Sequence, residues 1–183
     1  MVRRVFYSAT LFLVLVLAAS AAGPLQERTL PIPGRGILVV SSPLAWAQQI
    51  SQPPDEIAPT IRFSSTTGQK FEVSIAAFSS PTNDSSFNSS ANVRSIVEDT
   101  LVELKPRLVE RDIPILELHG GSGTGYFISA TVKAAGPREY KYLTQGAIGF
   151  DDLLLTFTVL TNEKPSPIIN QALDMLRSAR RGT

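Results

Sequence analysis

The only histidine of the chain lies in the stretch ELHGGSGTGYFI, residues 117–128, together with four glycines and a serine. Glycines clustered beside a histidine and a serine can form a phosphate-binding loop, a dinucleotide-binding turn or the oxyanion-forming loop of a hydrolase. The same composition also suits a tight turn between two strands.

The spacing in this stretch fits none of the three catalytic or nucleotide-binding patterns. A P-loop ends in Gly-Lys-Ser or Gly-Lys-Thr and opens a helix, whereas Gly125 is followed by Tyr126 and a strand pattern. A dinucleotide fingerprint needs G-x-G-x-x-G, and a nucleophile elbow needs glycine where Thr124 stands. His119 cannot both flank an oxyanion loop and serve a separate triad. The stretch is therefore predicted to be a glycine-rich hairpin turn with His119 at its base.

Metal and cofactor chemistry finds little support in the composition. The chain has no cysteine and one histidine, which excludes a thiol nucleophile and disfavours zinc. Oxygen ligands for calcium remain possible at Asp151–Asp152 or Asp55–Glu56, although no EF-hand spacing is present. Paired carboxylates for glycoside hydrolysis also stay open, but nothing singles out a pair. We therefore assign no metal, no cofactor and no catalytic residue.

The tyrosines are the best candidates for a binding surface. Tyr140 and Tyr142 are two residues apart on a predicted strand and should share one sheet face, with Tyr126 or Phe127 of the preceding strand opposite them. Such a cluster can line a groove for a partner or ligand, or it can pack across strands beneath a helix. Together with His119, these three tyrosines form the candidate binding set.

Periodicity predicts the elements that must position these residues. Phe71, Val73 and Ile75 alternate with polar residues, which predicts a half-buried strand joined to TIRFSS by the tight turn TTGQ. Trp46, after the predicted strand GILVVSS, is expected to be buried in the core.

A change of period marks the first helix, in NVRSIVEDTLVELKPRLVERD. Val93, Val97 and Leu101 begin an apolar stripe at helical spacing, and Pro106 should break the helix near Lys105. A second amphipathic helix is predicted in KPSPIINQALDMLRSARRG, with Ser166 as N-cap.

Between the two helices, the segments IPILELHG, YFISATVKA, YKYLTQGAIGF and LLLTFTVLTN read as strands joined by short links, hence antiparallel neighbours. The predicted order is β-β-β-α-β-β-β-α with one more short strand. The fold class is α+β, with an antiparallel sheet of six or seven strands and two main helices in an α/β/α-type sandwich.

The N-terminus has the parts of a secretory signal peptide. Residues 1–22 open with Arg3 and Arg4, continue through the apolar run LFLVLVLAA and end in small residues around Ala19-Ser20-Ala21. The apolar run is too short for a membrane span, and the absence of cysteine excludes lipoprotein attachment. We expect cleavage, an irregular lead-in at 23–35 and a single domain at 36–181.

Charge and cysteine usage narrow the compartment and the partners. Without residues 1–22 the chain keeps 15 basic and 16 acidic residues, a net charge of −1. This near-neutral balance leaves no excess positive charge with which to bind nucleic acid. Export without disulfides fits a bacterial periplasm best, with an organelle lumen or extracellular release as alternatives.

Several of these segments together resemble the PsbP-like superfamily, which includes bacterial DcrB-type proteins. The resemblance covers about residues 30 to 180 and is carried by GILVVSSPLAW, PPDEIAPTIRFSS, EYKYLTQGAIGFDDLLLTFTVLTN and the final amphipathic helix. Within the group the chain is most similar to uncharacterised secreted bacterial members. The resemblance implies a PsbP-like fold and a role in binding other proteins without catalysis, but it carries over no individual binding residue.

These observations predict three alternative functions, which are given in descending order of support. The first is an exported, non-enzymatic accessory or protein-interaction domain whose partner is another exported or envelope protein. The second is a periplasmic small-ligand carrier with its pocket near Tyr126, Tyr140 and Tyr142. The third is a carboxylate-based hydrolase.

Overall fold

A computed structural model of the chain describes residues 23–52, 58–80, 84, 86–120, 123–136 and 139–182. The elements in chain order are strands β1 (Leu25–Ile32), β2 (Gly36–Pro43), β3 (Trp46–Ser51), β4 (Thr60–Ser65) and β5 (Phe71–Ser79), helix α1 (Ser90–Leu104), strands β6 (Leu116–Gly120), β7 (Gly123–Thr131), β8 (Tyr142–Phe150) and β9 (Leu153–Thr161), helix α2 (Pro167–Arg177) and strand β10 (Arg180–Gly182). The predicted signal peptide lies outside the described residues.

The strands form two antiparallel sheets. Seven of them pair in the order β3-β4-β5-β9-β8-β7-β6, and a small second sheet has the order β1-β2-β10. The large sheet and the two main helices confirm the predicted α+β class. The small sheet was not predicted, because two of its three strands lie outside the segments that show a strand pattern in the sequence.

The predicted irregular lead-in at 23–35 is wrong. Most of it forms strand β1, which pairs with β2 along its whole length from Leu25↔Pro43 to Ile32↔Gly36. Leu30 and Ile32 point into the core, while Pro31 between them is exposed. The prolines hid this strand from a pattern-based analysis, yet β1 is an edge strand, where proline is tolerated. The domain therefore begins before residue 36.

The large sheet separates two apolar layers. One face packs against α2 and the small sheet, and this main core includes Trp46, whose ring lies 5.0 Å from that of Phe71. The opposite face packs against α1 through Val93 and Val97. This arrangement of α1, large sheet, and α2 with the small sheet is the predicted sandwich, with Trp46 buried as expected.

The predicted break after α1 is confirmed. The helix ends at Leu104, and a single 3-10 turn, Lys105–Arg107, follows with Pro106 in it. Because proline cannot donate to the helix ladder, the chain leaves the helix here. No helix in the described part of the chain is long and apolar enough to cross a membrane.

Candidate functional site

A cleft of about 440 Å³ opens where the C-terminal end of α1 meets the segment that leads into β8. Its floor is apolar and its rim is polar, which is the usual construction of a small-molecule site in this size range. The floor consists of Leu104, Leu108, Val132, Leu143 and Leu160, and the rim of Arg107, Glu139, Tyr140 and Gln145.

Backbone hydrogen bonds between the 3-10 turn and the end of β7 hold one wall of the cleft. The N–H of Lys133 donates to the carbonyl of Arg107 at 2.8 Å, and the N–H of Val109 donates to the carbonyl of Thr131 at 2.8 Å. Leu108 also forms an isolated β-bridge with Val132. Arg107 is thus fixed at the rim by its backbone, although its side chain is exposed.

Tyr140 forms part of the opposite rim. The ammonium group of Lys70 lies 5.2 Å from the centroid of its ring, a distance at which a cation is attracted to the ring face. Burial, with a smaller contribution from the negative charge of Glu72, raises the pKa of Tyr140 above its ordinary value of 10.0. The phenol therefore stays protonated at neutral pH and can donate a hydrogen bond.

The remaining polar groups on the rim differ in the hydrogen bonds that they make. The carboxylate of Glu139 accepts a hydrogen bond from the N–H of Gly136 at 2.8 Å. The guanidinium of Arg107 and the side-chain amide of Gln145 make no hydrogen bond or ion pair with any other described residue. The cleft consequently presents hydrogen-bond donors above an apolar floor.

Of the candidate binding residues, only Tyr140 reaches this cleft. Tyr126 is 7% exposed beneath α1, where its hydroxyl lies 2.9 Å from that of Ser90. The guanidinium of Arg94 stands 5.4 Å from the centroid of the Tyr126 ring. Tyr126 therefore belongs to the packing of α1 on the sheet.

Tyr140 and Tyr142 do not share a sheet face, contrary to the prediction. Strand β8 begins only at Tyr142, which pairs with Thr131 and Thr161, so Tyr140 lies in the preceding loop. The cleft is lined by Leu143 and Gln145, which alternate with Tyr142 along the strand and so face the other way. The ammonium group of Lys164 instead lies 5.7 Å from the centroid of the Tyr142 ring.

His119 stands apart from the cleft on edge strand β6. Its side chain is 72% exposed, and its Nε2 atom lies 3.1 Å from Oε2 of Glu117, two residues away on the same strand. The predicted position at the base of the hairpin is confirmed, because Gly120 pairs with Gly123 across the turn.

The glycines of this hairpin serve the packing of β7 against β8. A Cβ atom at Gly125 would lie 2.7 Å from the carbonyl oxygen of Ala147 and 2.8 Å from Cβ of Ile148. At Gly123, a Cβ would overlap the carbonyl oxygen of Gly149. Close backbone approach thus explains Gly123 and Gly125 in the stretch that suggested a ligand-binding loop.

Asp151 and Asp152, the possible calcium ligands, are paired with arginines. Arg35 Nη1 lies 2.9 Å from Oδ2 of Asp152, and Arg181 contacts both carboxylates. Among the described residues no group of three or more acidic or histidine side chains could hold a metal ion. The alternative pair Asp55–Glu56 lies outside the described residues.

Among the described residues, two carboxyl groups have shifted pKa values, and both shifts favour the anion. Burial raises the pKa of Glu110, but hydrogen bonds from the hydroxyl and N–H of Thr131, together with Lys164, outweigh it and lower the pKa below 4.5. The pKa of Asp84 is lowered by hydrogen bonds from the N–H and hydroxyl of Ser86. A general acid needs the opposite shift, so neither group suits that role.

Two rim residues, Arg107 and Gln145, were not predicted from the sequence. Arg107 follows the helix-breaking Pro106, and Gln145 lies in a strand whose polar positions read as solvent-facing. The only available signal was the break at Pro106, which places the end of a helix beside the sheet.

Comparison with solved structures identifies the architecture. The chain matches the solution structure of cyanobacterial PsbP (CyanoP) from Synechocystis sp. PCC 6803 with a TM-score of 0.57, over 90% of this chain and 96% of that one. The chain has a PsbP-like fold. Sequence identity to that structure is 11%, so the likeness concerns the fold alone. No protein-family model matches the sequence, and no curated protein is significantly similar to it.

Proposed function

We propose that the protein is an exported, non-enzymatic accessory protein that binds another exported or envelope protein. The N-terminal pattern supports export, and the PsbP-like fold is compatible with an accessory role. The hydrogen-bonded and ion-paired carboxylates favour binding over acid–base catalysis.

The observation that carries this proposal is the uneven covering of the large sheet. Helix α1 packs mainly on β7 and β8, and its apolar cluster extends to Leu154 of β9 and Phe78 of β5, so the part of the same face on β3 and β4 is the least covered by α1. A row of polar side chains begins in this part and runs across the face in register, from Gln49 through Arg62 and Ser74 to Thr158. We call these four residues the open sheet face.

The chemistry of the open sheet face suits a reversible protein contact. Gln49 and Arg62 are exposed, while Ser74 and Thr158 are half-buried between their strand neighbours. Ser74 and Thr158 are short and cost little side-chain entropy to order, whereas Gln49 and Arg62 are long and supply hydrogen-bond donors at a larger entropy cost. The expected partner therefore presents hydrogen-bond acceptors to Gln49 and Arg62.

Site-specific photo-crosslinking tests this proposal. A photo-reactive phenylalanine analogue replaces Arg62 on the open sheet face, and the control carries it at Glu103, which is exposed on α1. Illumination of the native host should join one discrete exported or envelope protein to the Arg62 position and not to the Glu103 position. Equal labelling at both positions, or no adduct at either, would refute the proposal.

Small-ligand carriage is the second candidate, and the cleft at Tyr140 is what favours it. A pocket built on all three tyrosines is not supported, since Tyr126 packs beneath α1 and Tyr142 faces away. A carboxylate-based hydrolase ranks last, because the shifted carboxyl groups are held as anions.

A further inference from the structure

We propose that the Tyr140 cleft binds a small amphipathic monoanion, a carboxylate attached to an apolar or aromatic body. This binding site borders the open sheet face, because Gln145 of the cleft pairs with Thr158, but the inference does not depend on a protein partner. It rests on the shape of the cleft, on its apolar floor and on the donors that line its rim.

The floor leaves apolar surface without a covering layer. Leu108 and Leu143 are buried, but Leu104, Val132 and Leu160 remain partly exposed where they line the cleft. An apolar body that covers these side chains removes their surface from water, which is favourable in proportion to the area covered. The volume of about 440 Å³ is within the range of small-molecule sites.

The rim decides the charge of the ligand. Arg107 presents a guanidinium with no ion-pair partner among the described residues, and such a group binds carboxylates with two parallel hydrogen bonds. The Tyr140 hydroxyl and the Gln145 amide are further donors that make no other hydrogen bond in the described structure. A carboxylate, which only accepts hydrogen bonds, complements all three.

Two acidic residues lie near the rim. The carboxylate of Glu139 accepts a hydrogen bond from the N–H of Gly136, and Glu72 and the ammonium group of Lys70 both lie close to Tyr140. The guanidinium of Arg107 is matched by a single carboxylate, and the acidic residue Glu139 on the same rim disfavours a second negative charge on the ligand. The rim therefore favours a monoanion over a dianion.

Calorimetric titration of the protein expressed from the full-length sequence tests the proposal with two probes. The first is 2-naphthylacetate, which has an aromatic body and a carboxylate, and the second is its neutral amide, 2-naphthylacetamide. We expect the carboxylate to bind about tenfold more tightly than the amide, the usual size of a charge-assisted hydrogen-bond effect.

The variant Arg107→Gln should weaken binding of 2-naphthylacetate about tenfold and leave the amide unchanged. Because Arg107 is exposed, the substitution should not disturb folding, which thermal unfolding can check. The matched control is Arg111→Gln, which removes the same charge from an exposed arginine outside the cleft and should leave both affinities unchanged.

Three results would overturn the proposal. They are no heat of binding for either probe at millimolar concentration, equal affinity for the two probes, and equal effects of Arg107→Gln and Arg111→Gln. Loss of a photo-crosslinked partner in Arg107→Gln, with no probe bound, would instead assign the cleft to a side chain of that partner. The titrations use the protein without a partner, so the first three results leave the crosslinking test of the open sheet face unchanged and the two proposals can fail separately.

Discussion

The two helices begin after serines that make different contacts. Ser89 accepts a hydrogen bond from the N–H of Asn92 at 3.3 Å, as an N-cap should. Ser166 precedes α2 at the predicted position, but its buried hydroxyl has no hydrogen-bond partner in the described structure.

Substitution of each serine by alanine should therefore have different results. Ser89→Ala should lower the free energy of unfolding by about 1 kcal/mol, because one helix N–H loses its acceptor. Ser166→Ala should leave that free energy unchanged or raise it slightly, because an unsatisfied buried hydroxyl is removed. Urea denaturation of both variants measures the difference, and equal losses would contradict the assignment of the caps.

Glu110 is a residue whose charge should make stability depend on pH. Its carboxylate accepts hydrogen bonds from the N–H and the hydroxyl of Thr131 at 2.8 and 2.7 Å, and its pKa in the folded state is lowered from 4.5. A lowered folded pKa means that this stabilisation is present above pH 4.5 and is lost as the pH falls through the folded value.

The variant Glu110→Gln should accordingly be less stable than the wild type at pH 7, and the difference should shrink below about pH 4. Urea denaturation at pH 7 and pH 3 measures it. Glu103→Gln, at an exposed position on α1 with no hydrogen bond or ion pair to any described residue, serves as the control and should show little difference at either pH. A deficit in Glu110→Gln that persists unchanged at pH 3 would argue against the charged hydrogen bonds.

At the scale of elements, the glycines of β7 allow its backbone to lie close to β8. Gly125→Ala should destabilise the protein by about 1–3 kcal/mol, because its Cβ would meet Ala147 and Ile148 of the neighbouring strand at 2.7 and 2.8 Å. Gly136→Ala is the control, since its Cβ would come no closer than 3.6 Å to any described atom outside its own chain neighbours.

Thermal unfolding of the two glycine variants provides the measurement. If Gly125→Ala were as stable as Gly136→Ala, the close approach of β7 and β8 could not explain the glycines. A ligand role for the stretch would then need to be considered again.

Elements with a clear period were predictable, and those hidden by proline or by short length were not. The alternation of apolar and polar residues predicted β5, and the helical spacing of apolar residues predicted α1. Pro106 predicted the end of that helix. Strand β1 was missed because Pro31 interrupts its alternation. Strand β10 has three residues, too few for any period to show, and its existence depends on pairing with β2.

At the scale of the whole molecule, the expected export of the protein remains a prediction. Expression of the full-length sequence in a bacterial host should yield a periplasmic protein whose first residue is near Gly23. We expect cleavage there because the apolar run of residues 1–22 ends in small residues. Mass spectrometry of the periplasmic fraction measures this. A product that retains Met1 and stays with the membrane fraction would indicate an uncleaved anchor.

The sequence by itself determined the fold class, the core residue Trp46, the break at Pro106 and the hairpin at His119. These features depend on residues close in the chain, where local period and turn chemistry apply. Only the tertiary structure decided that Tyr126 packs beneath α1 while Tyr140 joins Arg107 and Gln145 at one cleft. That arrangement depends on strand register and helix docking between residues more than thirty positions apart, which no local pattern specifies.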